Sequence, residues 1–315
     1  MSIDLEYLCV VSFYAHCLIL TQCRVLIRHA REETVTTLRM KHYKKKLKFL
    51  HSKRAFALPV TYLILFVSII AVVSLTYSFA IVKISARGAS LKASVAKQNM
   101  QVLDDTVHSV VWSFGASQVV YMDDCGGVFK TAVAAKRLLL NLTDEQATRS
   151  IVFNSSVGEA FYEIEPSENN DYGLYIRGDE RAIINKTQFS MTQLYVALGN
   201  GKPNMVICYR PMATVATIGT IDGKPLNLIR VSILNLNSSQ SLTLSGKFYL
   251  KVTSVNVTTL TRQYYFNTTI SSLALKATLD ETSSMVIMPV SSNTEGAVVN
   301  LEIVVCNVKL QTTEA

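Results

Sequence analysis

An apolar run is the longest uninterrupted pattern along the chain. Residues 55–82 read AFALPVTYLILFVSIIAVVSLTYSFAIV, 28 residues without a charged side chain. As a helix this run would reach about 42 Å, enough to cross a hydrocarbon core of about 30 Å. Tyr62 and Tyr77 lie towards its ends, where aromatic side chains often mark the membrane interfaces. The pattern predicts one transmembrane helix over 55–82.

A helical pattern continues beyond this run, over residues 83–112. Its apolar side chains recur at helical spacing and would form one stripe. They are Ala96, Met100, Leu103, Val107 and Val110. Polar residues such as Asp104 and Asp105 fall mostly elsewhere. The pattern predicts a juxtamembrane helix whose stripe packs on a partner or on the chain's own downstream domain.

From about residue 116 the pattern changes to strands. Runs rich in Val, Ile, Thr and Tyr are separated by turn signals such as Asp222-Gly223. The runs are 117–122, 150–153, 160–164, 205–209, 226–234, 247–255, 261–266, 285–290 and 297–310. In the last run, Val299, Leu301, Ile303 and Val305 share one face. We expect an all-β, sandwich-like domain over 113–315, or two such domains split near 211–224. The predicted fold class is a membrane-anchored α+β protein.

The charge is concentrated before the apolar run. Residues 1–54 hold 11 Lys and Arg against 4 acidic residues, a net charge of +7, whereas residues 83–315 hold 20 against 19, a net charge of +1. A basic block beside an apolar run favours a membrane flank over a nucleic-acid site, so we expect no nucleic-acid partner. The positive-inside rule predicts a cytoplasmic N-terminus and an extracellular domain over 83–315. The sequence therefore predicts a single-pass protein of the cell membrane, with the lipid bilayer as a partner.

Residues 1–39 differ from the rest in composition, with three cysteines and an apolar stretch interrupted by charges. This doubtful extension is a poor second span, an interfacial segment or, as we favour, a stretch that is not translated because synthesis starts at Met40. Residues 40–54 then form a compact basic cytoplasmic leader.

One face of the predicted transmembrane helix carries small side chains. They are Thr61, Ser68, Ala71, Ser74 and Ser78. Small residues let helices approach closely in lipid, which would allow a homo- or hetero-oligomer through this helix. The alternative is the ordinary tolerance of Ser and Thr in spanning helices.

No set of residues for catalysis can be named. The predicted exterior contains one histidine, His108, which excludes a His-based triad and a two-His metal site there. The signatures GxSxG, HExxH, GxGxxG and the P-loop are missing. We expect that the protein is not an enzyme and that it binds no metal ion and no cofactor.

Two kinds of modification are predicted for the exterior domain. Cys125, Cys208 and Cys306 either include one disulfide pair or are buried free thiols. Six Asn-x-Ser/Thr acceptors indicate a glycosylated surface protein. They are Asn141, Asn154, Asn185, Asn237, Asn256 and Asn267.

The leader and the start of the apolar run carry a family resemblance. Lys53-Arg54 precedes Ala55, and Pro59-Val60 follows near the start of the helix. This order resembles the class III signal peptide of archaeal type IV pilins and archaellins, from Met40 to about Trp112. The resemblance implies cleavage by a prepilin peptidase at Lys53, Arg54 and Ala55, other pilin-like subunits as partners, an assembly helix and a β-rich head.

Two functions follow as expectations. The first is a pilin-like structural or assembly subunit, anchored at the cell surface and without catalysis. The alternative is an uncleaved signal-anchored module whose β-sandwich binds a surface ligand, a glycan or a partner protein.

Overall fold

The computed structural model describes residues 54–144, 149–166, 172–185, 191–199, 201–237 and 240–313. Side chains are described from Val60 onward, except that of Arg149. The doubtful extension 1–39, the leader up to residue 53 and the processing residue Lys53 lie outside the described residues. The side chains of the processing residues Arg54 and Ala55 also lie outside this description.

A single helix covers both predicted helical segments. Helix α1 spans Arg54–Val110, 57 residues. The chain divides into two compact units between Thr76 and Tyr77. The second unit contains the end of α1 and all the strands described below, and we call its strand-rich part the head.

The head contains two curled sheets. The strands of the first sheet are β1 (Ser117–Met122), β5 (Ile184–Asn185), β8 (Met212–Ile221), β9 (Lys224–Asn235), β11 (Phe248–Phe266) and β14 (Ala297–Thr313). Their order across the sheet is β1-β11-β14-β9-β8-β5. The β9–β14 and β5–β8 pairs are parallel and the others are antiparallel.

The second sheet is antiparallel. Its strands are β2 (Val128–Thr143), β3 (Arg149–Glu163), β4 (Tyr175–Arg177), β6 (Thr192–Gly199), β7 (Lys202–Tyr209), β10 (Thr243–Ser245), β12 (Ser272–Leu279) and β13 (Thr282–Pro289). Their order is β13-β12-β2-β3-β7-β6-β4. β10 pairs with the start of β2, and β12 pairs with its end. The expectation of a strand-rich domain after a long apolar helix is confirmed.

One core cluster joins the end of α1 to both sheets. The predicted stripe from Ala96 to Val110 is buried against residues such as Met122 in β1 and Ile207 in β7. The stripe therefore packs on the chain's own head, one of the two outcomes that the sequence left open. Asp104, which the pattern placed off the stripe, is also buried.

A second core cluster lies between the sheets. β14 contributes Val299, Leu301, Ile303 and Val305, the four residues that share one face in the sequence pattern. β12 contributes Leu273 and other residues opposite them. The predicted alternation of β14 is confirmed, because a strand with a period of two buries one face of side chains.

A bulge in β2 sets which side chains face the core. Between Ala132 and Lys136 the register with β3 shifts, and Ala134 adopts a positive φ of 56°. Before the bulge the buried positions are odd-numbered, as at Phe129, and after it they are even-numbered, as at Leu138. Lys136 has the same parity as Leu138, so a lysine is carried towards the interior.

Several predicted runs merge into longer strands. The runs 150–153 and 160–164 are both parts of β3, and the runs 247–255 and 261–266 are both parts of β11. Range 211–224, where the sequence left room for a domain break, holds β8 and its turn into β9. That turn is formed by Asp222 and Gly223, with φ values of 50° and 77°, as a two-residue hairpin turn requires.

Candidate functional site: an apolar helix and a polar cavity in the head

The exposed part of α1 is apolar. The large hydrophobic side chains from Val60 to Val82 expose between 49% and 69% of their surface. This stretch makes α1 long and apolar enough to cross a membrane, by length and composition. A helix with such an apolar surface is not expected to stay in water, so it is the candidate membrane span.

The five small residues of this segment lie at the helix surface. Thr61, Ser68, Ala71, Ser74 and Ser78 are all exposed. The Ser68 hydroxyl donates a hydrogen bond of 2.8 Å to the carbonyl oxygen of Leu65, one turn earlier. Such back-bonding satisfies a hydroxyl within its own helix. The side chains of this face are small enough to allow close contact with another helix.

A buried carboxylate fixes the end of α1 to the head. Asp104 accepts hydrogen bonds from Thr192 Oγ1 at 2.8 Å and Tyr209 OH at 2.9 Å, and it pairs with Arg177 Nη1 at 2.5 Å. Hydrogen bonding to Asp105, and then to Asp104, raises the pKa of Arg177 despite desolvation. Burial, followed by the nearby Asp104, raises the pKa of Tyr209 well above its usual range. Tyr209 is therefore a neutral donor at physiological pH.

His108 belongs to the same cluster. Its Nε2 lies 2.9 Å from Thr192 Oγ1 and 3.4 Å from Asp104 Oδ1. The ring also makes an edge contact with Tyr209, at 5.8 Å between ring centroids. The one histidine that follows the apolar run in the sequence is thus engaged in docking the helix.

A buried arginine organises the loop between β4 and β5. Arg210 is fully buried, and its guanidinium pairs with the carboxylate of Asp179. It also donates to the backbone oxygens of Asp179 and Arg181, at 3.0 Å each. Hydrogen bonding from Arg181, and then from Arg210, lowers the pKa of Asp179. The loop is consequently held by charge-assisted bonds on both sides of Glu180.

A cavity of about 500 Å³ opens beside this loop. Its lining combines two aromatic rings, an amide, a lysine and three acidic residues. The lining residues are Lys136, Tyr175, Glu180, Gln193, Tyr195, Leu279, Asp280, Glu281 and Thr282. Pockets for small molecules commonly have this size.

Lys136 lies in the wall of this cavity. Its Nζ donates to Tyr195 OH at 2.7 Å and to Cys208 Sγ at 3.3 Å, and it lies 3.5 Å from Glu159 Oε2. Burial lowers the pKa of Lys136, but Cys208, Tyr195 and Glu159 outweigh it and raise the value overall. Burial raises the pKa of Tyr195 to about 12. Lys136 is therefore an ammonium that binds a neutral tyrosine.

The three cysteines of the described head are free and buried. No disulfide joins Cys125, Cys208 and Cys306, so the free-thiol alternative describes them. Burial raises the pKa of Cys125 and of Cys208. A raised pKa keeps a thiol protonated, which is the opposite of an activated nucleophile.

The glycosylation candidates differ in exposure. Asn154, Asn185, Asn237, Asn256 and Asn267 are exposed, whereas Asn141 is half-buried in β2. Asn141 pairs with β3 on one side and β12 on the other. It is thus the least accessible of the six.

Sequence reasoning missed the residues of the cavity and of the Asp104 cluster. A charged pair, Lys136-Arg137, interrupts an otherwise apolar stretch, and this was the available signal. Trp112, the single tryptophan, lies just after α1 with a positive φ of 72°. Its side chain is 40% exposed, so Val110 and Val111 supply the buried contacts there.

Comparison with known proteins adds no assignment. No family model matches the chain, and no curated protein or solved structure matches it.

Proposed function

We propose that this chain is a single-pass, membrane-anchored cell-surface protein that acts as a pilin-like structural or assembly subunit. In this proposal the apolar segment of α1 spans the bilayer and packs against other pilin-like subunits, and the strand-rich head is an extracellular sandwich. The basic leader stays in the cytoplasm until a prepilin peptidase removes it before Ala55.

One observation carries the proposal: the two parts of α1 differ in their surroundings. The large apolar side chains of residues 60–82 are exposed, whereas the stripe from Ala96 to Val110 is buried in the head. A segment that is apolar on all sides requires lipid or other helices around it. A buried stripe on the same helix couples that segment to a folded domain, as a filament subunit requires.

A structural role is favoured over a catalytic one. His108 is engaged by Asp104 and Thr192 in docking the helix. The raised pKa values of Cys125 and Cys208 argue against thiolate chemistry. Both observations concern residue types that often act in catalysis.

The decisive test is the N-terminus of the protein purified from its native membrane, by intact mass or Edman chemistry. We expect the mature chain to begin at or near Ala55, and a Lys53→Gln/Arg54→Gln double variant to keep its leader if these charges direct the peptidase. Replacing Lys83 by Gln is the matched control, because this charge follows the apolar run, and its processing should be unchanged. A mature chain that begins at Met1 or Met40 would contradict the pilin-like proposal.

A second candidate function is a signal-anchored binding module. The cavity beside Lys136 favours it, because a polar, preformed pocket has no evident use in a purely structural head. An uncleaved N-terminus would select this function over the first.

A further inference from the structure

We propose that the cavity beside Lys136 binds a small organic cation that carries one or two ammonium groups. The inference rests on the charges, aromatic rings and backbone anchoring around the cavity. It is independent of whether the leader is cleaved, because every residue that it uses lies in the head.

The lysine of the cavity does not bind the ligand, because its donors are already used. An ammonium has three N–H donors. Those of Lys136 face Tyr195 OH, Cys208 Sγ and Glu159 Oε2, at 2.7, 3.3 and 3.5 Å. Lys136 and Glu159 also neutralise each other. The lysine therefore orients Tyr195 and leaves no positive charge for an anionic ligand.

The remaining charge of the lining is negative. Glu180, Asp280 and Glu281 form no ion pair with any residue in the described part of the chain. The nearby arginines, Arg181 and Arg210, both pair with Asp179. Three carboxylates around one cavity without a cationic partner attract a positively charged ligand.

The backbone holds Glu180 in place on both sides. Gln193 Nε2 donates to the backbone oxygens of Asp179 and Arg181, at 2.8 and 3.1 Å. Arg210 donates to the same two oxygens. These bonds fix the backbone around Glu180, whose side chain is exposed at the cavity, so binding a ligand there requires little ordering of the backbone.

The turn between β12 and β13 holds Glu281 in a similar way. The carboxylate of Asp280 accepts a hydrogen bond of 2.8 Å from the backbone N–H of Arg137, and the Asp280 N–H donates one of 3.0 Å to the Arg137 carbonyl oxygen. The turn is thus tied to β2 next to Lys136. The cavity is thus lined by carboxylates from two separate anchored segments.

The geometry favours an organic cation over a metal ion. Within the part of the chain that the structure describes, no three His, Cys, Asp or Glu side chains converge closely enough to hold a metal ion. Tyr175 lines the cavity with the acidic residues. One side of its ring is tilted against Tyr195, at 5.2 Å between centroids, and the Tyr195 ring is itself covered by Lys136 Nζ at 5.1 Å, so Tyr175 supplies the aromatic face for the ligand. Ammonium groups bind to aromatic faces as well as to carboxylates, and they can span separated partners.

The test uses the detergent-solubilised full chain and two ligands of the same shape. Binding of 1,4-diaminobutane and of uncharged 1,4-butanediol is measured by titration calorimetry at low salt. We expect the diamine to bind at least tenfold more tightly than the diol, and its affinity to fall at least threefold in each of Glu180→Gln and Glu281→Gln. Tyr175→Leu should also weaken the diamine, because it removes an aromatic face.

Glu295→Gln is the matched control, since Glu295 is an exposed acidic turn residue outside the cavity. Its diamine affinity should equal that of the unchanged protein. Three results would overturn the proposal: no diamine binding, equal binding of the diol, or the same loss in all three glutamate variants. Circular dichroism of each variant distinguishes a folding defect from a loss of binding.

Discussion

Asp104 is the residue on which the docking of α1 depends most. Its side chain is only 2% exposed, yet Arg177, Thr192 and Tyr209 supply it with a cation and two hydroxyl donors. Burying a carboxylate is costly unless its oxygens are satisfied, and here each oxygen has a partner. The cluster therefore fixes one rotation of the helix against the head, whereas an apolar stripe alone would allow several.

Replacing Asp104 by Asn should destabilise the head much more than the same change at Asp105. Asp104→Asn removes the buried negative charge that Arg177 and two hydroxyl donors share, and we expect a loss of about 3 kcal/mol in the free energy of unfolding. Asp105 also pairs with Arg177, but its side chain is 66% exposed, so Asp105→Asn should cost less than about 1 kcal/mol. Urea unfolding in detergent, followed by Trp112 fluorescence, measures both. Equal losses would show that the buried carboxylate has no special role.

Buried charged residues were the least predictable part of the molecule. The sequence around Asp104 gives no sign of burial, and around Lys136 the only local signal is the charged pair in an apolar stretch. Their partners lie far along the chain: Thr192 and Tyr209 for Asp104, Tyr195 and Cys208 for Lys136. Local patterns report the face of an element, not which distant polar group meets it. The cavity consequently could not be found from the sequence.

At the scale of elements, the buried stripe of α1 is both a sequence pattern and a structural contact. Its members are apolar at helical spacing, and all five lie in the core cluster that both sheets share. The stripe was predictable because a helix repeats every 3.6 residues regardless of its partner. The surface that covers the stripe was not predictable, since it depends on the fold of the following two hundred residues.

Shortening one leucine of the stripe should test this contact. Leu103 is fully buried, and Leu103→Ala should reduce the free energy of unfolding by about 2–5 kcal/mol, through lost burial and the cavity left behind. Leu91 lies on the same helix but is 68% exposed, so Leu91→Ala should change the free energy of unfolding by no more than about 0.5 kcal/mol. Urea unfolding of the full chain in detergent compares them. A similar loss in both variants would contradict the buried stripe.

The strands show which sequence signals were sufficient. β14 was recognised because its positions from Val299 to Val305 alternate regularly, and β1 because its short run contains two Val and a Tyr. β2 was missed because the bulge at Ala134 and the Lys136-Arg137 pair interrupt its alternation. β3 and β11 were each divided in two, since their register shifts break the period of exposed and buried positions. Regular alternation was not sufficient by itself, because β12 alternates regularly and was missed, as β6 was.

At the scale of the whole molecule, the proposed topology can be tested with a single new thiol. Ser241 is exposed in the head, whereas the three native cysteines of the described head are buried. If the head is extracellular, Ser241→Cys should react with a membrane-impermeant maleimide on intact cells as fully as after lysis. The unchanged protein gives the background from its other cysteines. Labelling of Ser241→Cys only after lysis would reverse the proposed orientation.

The position of β14 bears on when the head can form. This strand lies between β9 and β11 and supplies residues to both core clusters, yet it follows every other described strand in the chain. Domains commonly fold while the ribosome is still extending them, but this one has no centre for its first sheet until residues 297–313 have been made. The first sheet therefore stays incomplete until β14 has been made, although every strand of the second sheet precedes it. On the proposed topology, that interval is when a translocation pore can still accept the head.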